Sequence, residues 1–362
     1  LELTRWISSY YRASWGEILE AALPPAIRKG EAKEQMTREI FALKSSTELL
    51  EESGRIERRA AAQARLLKTL AEKGGPDLGL ERSSLLKQAE ATAASLRRLE
   101  KQGWVEEKTR VRRLDPYETE TAGMEPREEP VLNPDQAAAL AAMEPGIDEN
   151  QFKPWLLKGV SGSGKTEVYL RAIRRALEQG KRGLVLVPEI SLTPQTVLRF
   201  KQALPGKKVA VLHSMLTPNE RTSQWRDIQE AKADLVIGAR SAIFAPLPDL
   251  GLIVVDEEHE SSYKQDTSPR YHARDVAVMR GKLLGATVVL GSATPSLESL
   301  HNANTGKYGL LELPRRATTH GLPRVHVVDL DGRFYSPSGK GLISPDLDRM
   351  LHRELKRGAQ SI

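Results

Sequence analysis

Residues 159–166 read Gly-Val-Ser-Gly-Ser-Gly-Lys-Thr and fit the pattern G-x-x-x-x-G-K-[ST] at every position. This segment restricts the fold more than any other, because such a loop works only between a buried strand and a helix. Both are legible: the apolar run Trp155-Leu156-Leu157 precedes it, and a helical pattern from Glu167 to Leu177 follows. Gly159, Gly162 and Gly164, with Ser163 between them, let backbone N–H groups turn inward around phosphate oxygens. The helix N-terminus adds its partial positive charge. Lys165 is placed to reach terminal phosphates, and the Thr166 hydroxyl to hold Mg²⁺.

Further along, Asp256-Glu257-Glu258-His259 follows Leu252-Ile253-Val254-Val255. That short β-branched run reads as a buried parallel strand. Asp256 then stands at the strand's carboxyl end, where ligands bind in open α/β sheets. Asp256 suits Mg²⁺ and Glu257 suits the orientation or deprotonation of an attacking water. Other apolar runs lie at 184–187, 209–212, 235–237 and 288–290, separated by helical segments. The expected fold class is therefore α/β, a doubly wound and mainly parallel sheet of the RecA-like kind that carries P-loops.

Composition sets outer bounds. The chain has 362 residues, 40% hydrophobic and 28% charged, as ordinary globular domains do. No apolar run approaches the roughly 20 residues of a membrane span, and a cytoplasmic protein is expected. With no cysteine, disulfides and thiolate zinc sites are excluded. The net charge of +6 divides as +5 over residues 1–114, −5 over 115–130 and +6 over 131–362. A mildly basic surface is compatible with nucleic acid but does not demand it. The chain starts at Leu1 and stops at Ile362 inside what reads as a new apolar run, so a fragment of a longer protein is expected.

Residues 1–114 read as a small helical domain. Leu3, Ile7, Tyr10 and Tyr11 recur at helical spacing, then Ile18, Leu19 and Ala22 before Pro24-Pro25. Residues 31–58 carry no clear pattern. Helices follow from Ala60 to Glu72, from about Leu85, and up to Leu99. Residues 103–108 read as a turn into a strand and 110–113 as its return. Three helices and a hairpin suggest a winged helix, with Arg97, Arg98, Lys101, Lys108 and Arg110 as candidate phosphate contacts. A helical spacer with solvated charges, or a protein-binding module, is the competing reading. Residues 115–130, acidic and with almost no aliphatic residues, read as a linker. A P-loop lobe is then expected over 131–318, followed by a further segment over 319–362.

A bare P-loop serves kinases, GTPases, transporters and motors alike. Asp-Glu-Glu-His points to ATP-driven nucleic-acid motors, and there is no Asn-Lys-x-Asp guanine signature. Gly291-Ser292-Ala293-Thr294-Pro295 follows an apolar strand. Ser292 and Thr294 suit a relay that exchanges hydrogen bonds with His259, although a plain capped turn explains them too. The segments GVSGSGKTEVYL, LVPEISLTPQ, GARSAIFAP, DEEHESSYKQ, PRYHARDVA and GSATPSLES occur in this order, after WISSYYRASWGEILEAALP. Together they resemble the PriA family of bacterial replication-restart DNA helicases, in superfamily 2. DEEH-x-x-SYKQ with RYHARD is the most selective part. Ser161 departs slightly, since the family often has Thr there.

The resemblance implies an ATP-dependent 3′→5′ helicase acting at stalled forks in primosome assembly, using ATP and Mg²⁺. It implies that Gln136 reads the adenine edge, that Gly164, Lys165 and Thr166 bind phosphates and metal, and that Asp256 and Glu257 are the catalytic carboxylates. It also implies that residues 262–274 couple single-stranded DNA to hydrolysis. Tyr263, Lys264, Arg270, Tyr271 and His272 carry that role, with Arg240 also facing DNA. Bases stacked on Tyr263 or Tyr271 would contribute roughly 1–3 kcal/mol each; either ring as a core residue is the competing reading, as an ordinary surface position is for Arg240. Forked and single-stranded DNA, single-strand-binding protein and helicase-loading factors are the implied partners. The family's 3′-end-binding domain, cysteine-rich zinc insertion and most of the second lobe are missing from this sequence. Little ATP hydrolysis is therefore expected of this chain by itself, since an arginine from the second lobe is worth on the order of 10³-fold or more in such enzymes. Two further readings stay open: an ATP-independent fork-binding scaffold, and another superfamily 2 DNA translocase.

Overall fold

The computed structural model describes residues 1–30, 36–111, 114–117, 125, 127–317, 325–328, 335–336, 339–340 and 343–359. It divides into two compact units, 1–317 and 318–362. In the first, α1 (Glu2–Tyr11), α2 (Trp15–Ala22) and the single turn α3 (Pro25–Arg28) come before a small mixed domain. That domain comprises β1 (Met36–Ala42), α4 (Ser46–Ile56), α5 (Ala61–Lys73), β2 (Leu80–Glu81), α6 (Arg82–Gln88), α7 (Ala93–Lys101) and β3 (Val105–Val111). Its antiparallel sheet has the order β2-β1-β3.

Here the structure departs from the expected hairpin. Residues 105–111 are one continuous strand, and its partner is β1, with Met36 opposite Val111 and Ala42 opposite Val105. Gly103 makes the turn before it, at φ 74°. Lys108-Thr109-Arg110 holds no Gly, Asn, Asp or Pro, so nothing there reverses the chain. The expected return at Arg112 and Arg113 lies outside the described residues. Ile40, Leu49, Leu66, Leu67, Leu70, Leu85, Leu96, Leu99 and Val105 form this domain's own core.

The first two helices pack elsewhere than with this core. Ile7 and Ile18 are fully buried in the core of the large sheet. Tyr11 gives its hydroxyl proton to Asp275 at 3.4 Å.

The larger part is built from α8 (Pro134–Asp148), β4 (Pro154–Gly159), α9 (Lys165–Glu178), β5 (Arg182–Leu186), α10 (Pro194–Ala203), β6 (Val209–Leu212), α11 (Pro218–Gln229), β7 (Leu235–Gly238), β8 (Leu250–Val255), α12 (Ala273–Leu284), β9 (Thr287–Ser292), α13 (Leu297–Asn304) and β10 (Gly309–Leu313). Seven strands form one parallel sheet in the order β10-β4-β9-β8-β5-β7-β6. Alternate residues point to opposite faces, as a pleated strand requires. Val185, Val211, Ile237, Val254 and Val289 meet α8, α9 and α10 on one side. Leu184, Leu186, Val236, Ile253 and Leu290 meet α11, α12, α1 and α2 on the other. Burying each such side chain contributes about 1.5–3 kcal/mol, which fixes strand register and brings the carboxyl ends of β4, β8 and β9 side by side.

The acidic stretch read as a linker is bound to the sheet domain at both its described ends. Tyr117 is buried and its hydroxyl is 3.1 Å from His213 Nε2. Asp115 pairs with Lys201 at 2.6 Å, and Glu129 with Arg171 at 2.7 Å. In the second unit, α14 (Pro345–Lys356) is capped by the Ser344 hydroxyl.

Candidate nucleotide site and the adjoining loop

The 159–166 segment joins β4 to α9 as its sequence demands. Gly162 at φ 77° and Gly164 at φ 83° adopt the left-handed conformation that glycine takes without strain. Lys165 opens α9 and is 8% exposed. Its ammonium donates to the Gly159 carbonyl at 3.0 Å and stands 3.6 Å from Glu257 Oε1. The Ser163 hydroxyl is buried and has no hydrogen-bond partner among the described residues. An orphaned donor and a lysine resting on a backbone carbonyl, at a helix N-terminus, fit a phosphate group. Thr166 follows on the first turn of α9.

Asp256 leaves β8 with its N–H donating to the Leu186 carbonyl at 2.9 Å. Its Oδ1 accepts from the Tyr169 hydroxyl at 3.0 Å, and its main-chain oxygen accepts from the Tyr263 hydroxyl at 2.7 Å. Burial first, and then the charge of Glu257, push the Asp256 carboxyl above the ordinary aspartate range. Burial, and then the Asp256 charge, push the Tyr169 and Tyr263 phenols well up, so both stay protonated donors. Glu257 has φ 45°, a conformation costing of order 1–3 kcal/mol in a non-glycine residue.

His259 Nδ1 is 2.7 Å from the Ser292 hydroxyl and 3.6 Å from Glu257 Oε2. The Thr294 N–H donates to that same Ser292 oxygen at 2.9 Å. His259, the Ser292 hydroxyl and the Thr294 main chain thus lie in one run of contacts. Among the described residues no group of three or more His, Cys, Asp or Glu side chains could hold a metal unaided. Thr166 and Asp256 fit an Mg²⁺ that takes its remaining ligands from phosphate and water, the usual arrangement for this hard cation.

Several expected contacts are occupied otherwise. The Gln136 amide is engaged within the chain: Oε1 accepts from Asn133 N–H and Nε2 donates to the Ser163 carbonyl, both at 2.9 Å. It ties the start of α8 to the phosphate loop. Tyr263 and Tyr271 are each 1% exposed, so neither presents a ring face to a base. Tyr271 packs edge-on against Phe244 at 5.1 Å, and its phenol is pushed up to about 12 by burial. Lys264 donates to the Arg270 carbonyl at 2.7 Å and stands over the Tyr11 ring. Arg240 donates to the carbonyls of Lys264 and Ser262 at 2.7 and 3.3 Å. His272 caps α12, accepting from Arg274 N–H, and burial and then the Arg274 charge lower its pKa. Arg270 is exposed. A groove of about 760 Å³ opens beside this loop, lined by Glu17, His213, Arg240 and Lys264 among others. In the small N-terminal domain Arg97, Arg98 and Lys101 are exposed, while Lys108 and Arg110 lie over the Phe41 ring.

Sequence reasoning passed over three residues here. Glu258 is 0% exposed. Its carboxylate accepts from Ser296 N–H (2.7 Å), the Ser296 hydroxyl (3.0 Å), the Ser299 hydroxyl (2.8 Å) and the Arg274 guanidinium (3.2 Å). Arg274 is the second and Tyr169 the third. The only signal for Tyr169 was its place one turn after Lys165, facing inward.

A DEAD/DEAH box helicase family model matches residues 133–303. The chain is 41% identical to the replication restart protein PriA of Bacillus subtilis over 330 residues, covering 91% of this chain and 40% of that protein. It is 40% identical to PriA of Chlamydia pneumoniae over 361 residues, covering 99% and 47%. With PriA of Haemophilus influenzae the identity is 38% over 365 residues, covering 98% and 47%. The chain thus spans somewhat less than half the length of these relatives. Among solved structures, RecG bound to a three-way DNA junction aligns with a TM-score of 0.41 and 23% identity over 56% of this chain and 26% of that one, too slight a likeness to carry an argument. The matches to PriA run through the phosphate loop, Asp256–His259 and the loop beyond them, so that the chain is similar to PriA proteins over nearly its whole length.

Proposed function

We propose that this chain carries the ATP-binding lobe of a DNA helicase that moves 3′→5′ on single-stranded DNA and serves replication restart at stalled or abandoned forks. One observation carries the reading. The Lys165 ammonium lies between the Gly159 carbonyl and the Glu257 carboxylate, where the ends of β4 and β8 meet. A phosphate entering there replaces weak partners with strong ones. The backbone around Gly162–Gly164, with Lys165, would bind the phosphates. Thr166 and Asp256 would hold Mg²⁺, which when bound neutralises charge on the phosphate oxygens. Glu257 orients the attacking water and takes its proton. His259 then passes the state of the site to Ser292 and Thr294.

Single-stranded DNA fits the groove beside residues 261–272. Lys264 and Arg240 reach its phosphates by leaving their carbonyl partners, and Arg270 reaches them directly. Arg97, Arg98 and Lys101 suit the duplex arm of a fork. The same reading brings single-strand-binding protein and helicase-loading factors as partners. The test is phosphate release from ATP by the full-length gene product, with and without single-stranded DNA. Stimulation that disappears in Lys165→Ala, with fork binding retained, supports the reading. Equal rates in the variant and the wild type overturn it.

A further inference from the structure

Two phenols that the reaction does not itself require close on Asp256 from different elements. Tyr169, on α9, gives its proton to the carboxylate Oδ1 at 3.0 Å. Tyr263, on the loop after His259, gives its proton to the main-chain oxygen of the same residue at 2.7 Å. The space for Tyr169 is exact enough to dictate a glycine: a Cβ on Gly291 would stand 1.5 Å from the phenol oxygen. The oxygen held by Tyr263 belongs to the peptide joining Asp256 to Glu257. That peptide leads straight into the left-handed turn at Glu257, φ 45°. Strain of this kind persists only where surrounding groups over-determine it. The peptide held by Tyr263 is one of those constraints.

We propose that Tyr169 and Tyr263 are positioning residues, a clamp that sets the direction of the Asp256 carboxylate and of Glu257. The inference rests on the ATPase reading above. Tyr169 orients Asp256 toward the Mg²⁺–nucleotide. Tyr263 holds the turn from which Glu257 meets water. A movement of the 261–272 loop then reaches the Glu257 turn through one hydrogen bond, with no base touching the Tyr263 ring.

Phenylalanine separates this role from base stacking, because it keeps the ring and removes only the hydroxyl. In Tyr263→Phe the rate constant for DNA-stimulated hydrolysis should fall about fivefold to tenfold, the effect of one lost hydrogen bond. The DNA concentration giving half-stimulation should not change. In Tyr169→Phe the affinity for a fluorescent ADP analogue should fall by about the same factor with Mg²⁺ and stay as in the wild type with EDTA. Wild-type behaviour of both variants in these titrations, beside an inactive Lys165→Ala, overturns the clamp alone. A shift in the half-stimulating DNA concentration without a change in rate constant overturns it for Tyr263. Full hydrolysis by Lys165→Ala overturns the ATPase reading instead, and the Mg²⁺-dependent binding titration still decides the Tyr169 arm.

Discussion

Replacing Arg274 with methionine should destabilise the sheet domain far more than a typical surface change. Arg274 is 8% exposed and faces Glu258, which is 0% exposed, across 3.2 Å. Removing one partner of a buried pair typically costs about 3–5 kcal/mol, because the remaining charge is left uncompensated. Three neutral donors still meet Glu258 after the change: Ser296 N–H, the Ser296 hydroxyl and the Ser299 hydroxyl. They place the expected loss near the lower end, about 3 kcal/mol. For a lobe of this size that is a fall in Tm of about 6–12 °C at about 2–4 °C per kcal/mol. The assay is thermal unfolding of Arg274→Met, Glu258→Met and the double variant. Removing both leaves no buried charge uncompensated, so the double variant should be more stable than Arg274→Met alone, with a coupling of about 2 kcal/mol or more. A single variant within about 1 kcal/mol of the wild type, or a double variant whose loss equals the sum of the two, refutes the account of Glu258 as a buried charge held chiefly by Arg274.

Two more tests concern Gln136 and His213. Gln136→Ala should weaken ATP and GTP binding alike, because the amide braces Asn133 and the Ser163 carbonyl; nucleotide titrations showing a loss for ATP only would restore the adenine-reading role. His213 bears on pH. Burial first, and then the Arg221 charge, lower its pKa against the raising effect of Glu189, and its ring meets Tyr117. A depressed folded-state pKa means that the unfolded chain binds the proton more tightly, so stability is fully present above the ordinary histidine value of about 6.5 and is lost as pH falls through the lowered one. Tm should therefore drop on acidification in the wild type and drop less in His213→Leu; parallel curves for the two would remove His213 from the account.

The large sheet was legible because its strands are buried on both faces and so appear as continuous apolar runs, from Leu156 in β4 to Leu290 in β9. β10, Gly-Leu-Leu-Glu-Leu, escaped notice: it is an edge strand with exposed Leu310 and Glu312, and its run is broken by charge. β1 escaped for another reason. Met-Thr-Arg-Glu-Ile-Phe-Ala becomes a strand through its partner, with Met36 opposite Val111, and a pairing across so long a stretch leaves no local mark.

The same limit explains the site. Asp256, Glu257, Glu258 and His259 are four ionisable residues in a row, and periodicity treats them alike. The structure separates them at Glu257, where φ 45° turns the chain. Before the turn Asp256 stands at the end of β8 beside the phosphate loop. After it Glu258 is buried against Arg274 and the two serines, and His259 comes up against Ser292. A left-handed glutamate has no sequence signature, since glycine would be the local choice. A glycine there would relax the turn but remove the carboxylate that faces Lys165, whereas a glutamate keeps the carboxylate and the strain, which is held by Tyr263 on one side and the buried Glu258 on the other. Tyr263, which the sequence offered as a base platform or a core ring, and Glu258, which sequence reasoning passed over, are thus the two that make the Glu257 conformation tenable.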